Sequence, residues 1–150
     1  EPENWEIISH EFINEYEEGK YSCGLHSGAE DVLKAFNGAG ISQSVLSAYS
    51  QHTLEEIVNK FNLGGYFIKL VGLDNIYAAS KLDNGIKWMN ELGFGKGEVL
   101  FIGDTVHDYE VATEIGADSL LLADGHQVKT ELLKCTDKVI DSFEDLLKLF

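Results

Sequence analysis

Three groups of residues have types and spacings that could do chemistry. The first is Gly103-Asp104-Thr105-Val106-His107-Asp108. Asp104 and Asp108 stand one helical turn apart, and two carboxylates held that close repel unless a cation lies between them. Hard oxygen donors favour magnesium for that role. The alternative is that Asp108 caps the following helix and Asp104 fills a turn. Placement directly behind the apolar run Val99-Leu100-Phe101-Ile102 favours the metal. The second group is Ser47, at the end of Ser44-Val45-Leu46. A hydroxyl there, followed by free backbone N–H groups at a helix start, suits a phosphate; the alternative is a simple helix cap. The third is Lys81, in Ala78-Ala79-Ser80-Lys81-Leu82. Its ammonium can reach over a sheet edge and neutralise a phosphate as a point charge, or it is a surface lysine with no role. Order joins the three groups: Ser, then Lys, then GDxxxD, each on a consecutive strand-to-helix loop.

The apolar pattern supplies elements to position them. Helices are predicted over Glu30–Phe36, Thr53–Phe61, Asn84–Leu92, Asp108–Ile115, Lys129–Leu133 and Phe143–Leu149, from apolar residues three and four apart and closing glycines. Short apolar runs at Ser42–Leu46, Tyr66–Val71, Val99–Ile102, Ser119–Leu122 and Lys138–Ile140 are predicted strands, and Val99–Ile102 reads as buried on both faces. Strands alternating with helices indicate a parallel sheet covered on both faces. In such sheets the functional groups gather at the C-terminal edge. Ahead of this pattern, Trp5, Ile8, Phe12 and Tyr16 stand among acids and predict an amphipathic helix closed by Gly19.

Composition narrows the possible functions. The chain has 150 residues, the size of one ordinary domain, with 44% hydrophobic and 25% charged residues. That balance excludes a disordered or fibrous protein. Its 11 basic residues are all Lys and face 26 acids, a formal charge of −15. That balance argues against nucleic acid and against anionic membrane surfaces as partners. Cys23 and Cys135 lack any metal-ligand spacing and read as reduced thiols of a cytoplasmic protein. No apolar run approaches the ~20 residues of a membrane span. Gly93-Phe94-Gly95-Lys96-Gly97 lacks the GxxxxGK[ST] spacing and leads into a strand, at the wrong edge of the sheet. His107 reads as solvent-facing, and His10, His26, His52 and His126 form no ligand pairing and read as structural or exposed.

The run Gly28–Asp118 resembles the core of the haloacid dehalogenase-like (HAD) hydrolase superfamily, and most closely its phosphoglycolate phosphatase-like members. In that family a Ser or Thr after the second strand binds phosphate, which matches Ser47. A Lys before a later helix matches Lys81. An acidic metal loop after the fourth strand matches Gly103, Asp104 and Asp108. The Trp5–Glu18 helix resembles the last helix of the family's cap domain. Ala48 stands where the family usually has Asn, and Leu82 where it often has Pro. The family's first motif, an Asp-x-Asp that supplies the nucleophile and general acid, occurs nowhere in these 150 residues.

The resemblance implies a three-layer α/β/α doubly wound parallel sheet, HAD-like and Rossmann-like. Residues 1–20 would be the last helix of a helical cap, and residues 21–150 a core lacking its first strand. It implies magnesium-dependent hydrolysis of a small phosphorylated metabolite, with phosphate held by Ser47, Ala48 and Lys81, and Mg2+ by Asp104 with Asp108 assisting. The nucleophile would lie on a strand preceding Glu1, between those ending at Ser47 and Asp104. Direct pairing of these two strands would contradict that expectation. Two rivals stand beside it. One is a HAD-like binding module without catalysis. The other is a receiver-type phosphoacceptor domain, which normally needs an acidic pair after its first strand.

Overall fold

In the computed structural model, residues 19, 22–74 and 80–150 are described. The predicted helix over Trp5–Glu18, and with it the cap segment 1–20, lies outside them, except Gly19. Among the described residues six α-helices and five strands alternate as the apolar pattern predicts. The helices are α1 (Ala29–Gly38), α2 (Gln51–Lys60), α3 (Lys81–Leu92), α4 (Val106–Ile115), α5 (Lys129–Leu132) and α6 (Phe143–Leu147). The strands are β1 (Ser44–Ser50), β2 (Lys69–Leu73), β3 (Leu100–Gly103), β4 (Asp118–Leu122) and β5 (Val139–Ile140).

Hydroxyl side chains start the helices that follow β1, β2 and β3. Ser50 accepts from Thr53 N–H, Ser80 closes a capping box with Asp83, and Thr105 closes one with Asp108. Each satisfies a backbone donor that the first turn leaves unpaired. Gly93 and Gly116 then stop α3 and α4 at φ 68° and 77°, a left-handed conformation open to glycine at little cost.

All strand pairs are parallel, but they form two ladders, β1-β2 and β3-β4-β5. Among the described residues β1 and β3 do not pair, so each has one edge without a strand beside it. Helices bridge the two ladders on both faces. On one face, Val32 and Phe36 of α1 pack with Leu120, Leu146 and Ile102, while Leu33 of the same helix packs on the cluster of Leu54, Val58, Leu63 and Val45. On the other, α3 lies on β1 and β2, α4 on β3 and β4, and the two helices pack together. The result is a three-layer α/β/α arrangement.

Three local expectations are corrected. Val99–Ile102 was expected to be buried on both faces, yet Leu100 is exposed and Phe101–Gly103 are half-buried, because among the described residues β3 has a strand neighbour on one side only. The fully covered strand is β4, where Ser119–Leu122 are buried between β3 and β5. The aromatic run at Tyr66 was expected in a strand, but Gly64–Tyr66 form a 3-10 turn and the strand starts at Lys69. The strand expected to end at Leu46 continues to Ser50, with a break in its pairing to β2 between Leu46 and Ser50.

Candidate active site

The GDxxxD loop folds around the side chain of Asp108, which is 4% exposed. Oδ2 of Asp108 accepts three hydrogen bonds, from Asp104 N–H at 3.0 Å, Thr105 N–H at 3.1 Å and the Thr105 hydroxyl at 2.9 Å. Oδ1 takes Lys81 Nζ at 2.5 Å. Burial alone would push this carboxyl up, but the Lys81 ammonium, the Asp104 N–H and the Thr105 hydroxyl outweigh it and hold it below the ordinary carboxylate range. Gly103 permits this folding: a Cβ there would lie 2.3 Å from that of Asp108.

Lys81 was expected in the loop before a helix; it is the first residue of α3. From there it crosses to the other ladder, pairing with Asp108 and lying 5.4 Å from the Phe101 ring centroid. Its side chain is 16% exposed, so the reading as a surface lysine without a role does not hold. Asp104, Asp108 and Lys81 are thus one hydrogen-bonded cluster at the C-terminal edge of β3. Ser47 lies at the same edge, on β1, and no hydrogen bond joins it to that cluster. It is not the helix cap, since Ser50 fills that role. Ser47 Oγ accepts from Tyr49 N–H at 3.1 Å, and among the described residues its hydroxyl proton has no acceptor, so it can donate to an anion. The exposed Ala48 lies beside it, in the stretch where pairing with β2 is interrupted.

Sequence reasoning set His126 aside, and the structure brings it to the site. In the loop after β4, His126 donates its backbone N–H to Asp104 Oδ2 at 2.8 Å, and its ring Nδ1 lies 2.5 Å from the same oxygen. The neighbouring Gln127 accepts the Val106 N–H at 2.6 Å, steadying the first turn of α4. Gly125 lets this loop press on Asp104, since a Cβ there would come within 2.3 Å of that side chain. The signal available in the sequence was position: Asp124-Gly125-His126 follows a strand at the same edge as the other groups. His107 is exposed and meets Glu110, in keeping with a solvent-facing residue.

The donor set fits a magnesium ion that keeps most of its waters. Asp104 presents one carboxylate oxygen, Oδ1, that takes no hydrogen bond among the described residues, whereas both oxygens of Asp108 are engaged. Magnesium is commonly held by one or two carboxylates together with substrate phosphate and water. No group of three or more His, Cys, Asp or Glu among the described residues could hold a metal by itself. No helix among them is long and apolar enough to cross a membrane.

The chain is 26% identical over 133 residues to a phosphoglycolate phosphatase of Salmonella choleraesuis (strain SC-B67), covering 87% of this chain and 52% of that protein. It thus spans about half the length of the curated relatives it matches. Among solved structures, a predicted phosphatase from Clostridium acetobutylicum superposes with a TM-score of 0.81 at 22% identity, over 87% of this chain and 62% of that one. Protein Tyrosine Kinase A from Mycobacterium tuberculosis superposes with a TM-score of 0.76 at 18% identity, over 96% of this chain and 68% of that one. At those identities the likeness is one of fold, which by itself does not fix an activity. The model of the haloacid dehalogenase-like hydrolase family matches residues 1–122, and the chain belongs to that family.

Proposed function

We propose that this chain forms the larger part of the active site of a magnesium-dependent phosphate monoesterase of the phosphoglycolate phosphatase type. The observation that carries the proposal is the cluster at the C-terminal edge of β3. A lysine held across two ladders by a buried carboxylate stands beside an aspartate with one free oxygen, and a serine hydroxyl lies on the same edge. Such a set can hold a phosphoryl group and stabilise the charge that grows on it during transfer.

In this reading Ser47 donates its hydroxyl to a phosphoryl oxygen, with the backbone at Ala48 beside it. Lys81 supplies the positive charge, and Asp108 fixes that ammonium in place. Asp104 Oδ1 would hold the magnesium ion, which supplies further charge neutralisation at the phosphoryl oxygens. The nucleophile is a carboxylate on a strand lying between β1 and β3, contributed from outside these 150 residues. It attacks phosphorus, expels the alcohol and forms an aspartyl-phosphate that water then cleaves. The edges of β1 and β3 that have no strand partner among the described residues support such a strand. The substrate in this reading is a small phosphorylated metabolite of the cytoplasm.

Phosphate release is the test. The natural protein should liberate inorganic phosphate from 2-phosphoglycolate or another small monoester with Mg2+ and stop when EDTA is added. Asp104→Asn should lower the rate at least about 100-fold, the scale of losing one electrostatic group in the transition state. Metal-independent turnover, or an unchanged Asp104→Asn variant, would refute the assignment.

A further inference from the structure

The loop that follows β4 is built against one oxygen of Asp104. Two donors from a single residue, the backbone N–H and ring Nδ1 of His126, converge on Oδ2 at 2.8 and 2.5 Å. Gly125, directly before it, lies so close to Asp104 that any side chain at 125 would displace the loop. The oxygen they leave free, Oδ1, is the one available to a cation. A carboxylate whose second oxygen is already hydrogen-bonded binds a metal through one oxygen only. A metal requiring compact octahedral geometry tolerates that, whereas calcium, with six to eight ligands, gains from bidentate carboxylates.

We propose that His126 is a positioning and metal-selecting residue. It holds the Asp104 carboxylate as a one-oxygen ligand and so favours magnesium over calcium. The inference rests on the reading of Asp104 as the metal ligand. It adds that residues 124–127, outside the GDxxxD loop, set the geometry of that ligand. His126 has an 80% exposed side chain, so its replacement does not open a core, and effects of the substitution are read at Asp104 rather than through the fold.

The test is calorimetric titration of the natural protein and its variants with MgCl2 and with CaCl2, free of substrate. His126→Ala removes the ring donor and keeps the backbone one. It should weaken Mg2+ binding about tenfold, the usual effect of losing a partner that orients a metal ligand. Ca2+ binding should weaken less. His126→Asn places an amide N–H where Nδ1 stands and should restore most of the Mg2+ affinity. Equal weakening of both metals, no weakening at all, or an Asn variant as poor as Ala would overturn the proposal. Asp104→Asn separates the two levels. If it abolishes Mg2+ binding while His126→Ala does not alter it, only the positioning role falls. If Asp104→Asn binds Mg2+ like the natural protein, or the natural protein binds none, the ligand assignment falls and this inference with it.

Discussion

At the scale of residues, the centre of the site is an ion pair. Lys81 and Asp108 are both largely withdrawn from water, and three further donors satisfy the second carboxylate oxygen. Removing one partner of such a pair leaves a buried charge uncompensated, which costs about 3 kcal/mol or more. Asp108→Asn should therefore lower stability by about 3 kcal/mol, read as a shift in urea midpoint at unchanged slope. The sign of its pH dependence follows from its lowered pKa. The Asp108 contribution is complete above the unfolded carboxyl value of about 3.9 and is lost as pH falls through the lower folded value. The gap between natural protein and variant should thus stay constant from neutral pH to about pH 4 and close below it. A gap that widens on acidification would contradict the pairing. Ser47, Lys81, Asp104 and Asp108 were legible as candidates because each stands near a strand-to-helix step, in the order of the family's motifs. It did not show His126: a single histidine with no ligand spacing gives no periodic signal, and its contact with Asp104 exists only once β4 is beside β3.

Among the elements, β1 and α2 show how a loop end is fixed without regular pairing. Where the ladder between β1 and β2 breaks, the Gln51 side chain takes over. Its amide nitrogen donates to the Leu70 carbonyl at 3.1 Å and its oxygen accepts the Gly72 N–H at 2.7 Å. Gly72 permits this approach, since a Cβ there would stand 2.7 Å from the Gln51 Cα and 2.9 Å from the Tyr49 carbonyl. Those are backbone atoms with no rotamer to move. Gly72→Ala should cost about 2 kcal/mol and lower the melting temperature by about 6 °C, measured by calorimetry. Because Ser47 lies on the strand that is displaced, the KM for a monoester substrate should rise as well. An unchanged melting temperature would show that β1 is not clamped here. The strands and helices were legible because apolar periodicity and terminal glycines agree. The extension of β1 to Ser50 was not, because Ser47 and Ser50 flank Ala48 and Tyr49 and leave no continuous apolar run. The same limit applies to Tyr66, whose aromatic neighbours suggest a strand while Gly64 and Gly65 turn the chain.

Across the whole molecule, two parallel ladders are held side by side by α1 on one face and the α3–α4 pair on the other, and Lys81 crosses between them. The half-burial of Phe101 and Gly103 shares a cause with the interrupted sheet: β3 has an edge without a strand partner among the described residues. The formal charge of −15 repels anions at long range, so in the proposed function the attraction for a phosphate falls to Lys81 and the cation. The central claim is that these ladders flank a strand whose carboxylate is phosphorylated during turnover. The direct measurement is to quench the natural protein during turnover of 2-phosphoglycolate, or of the monoester it cleaves best. Reduction of the trapped acyl phosphate with borohydride and mass spectrometry then locate the reduced residue. The label should fall on an aspartate outside these 150 residues, with Asp104 and Asp108 unmodified. Label on Asp104 or Asp108, or turnover with no acyl phosphate on any aspartate, would contradict the account.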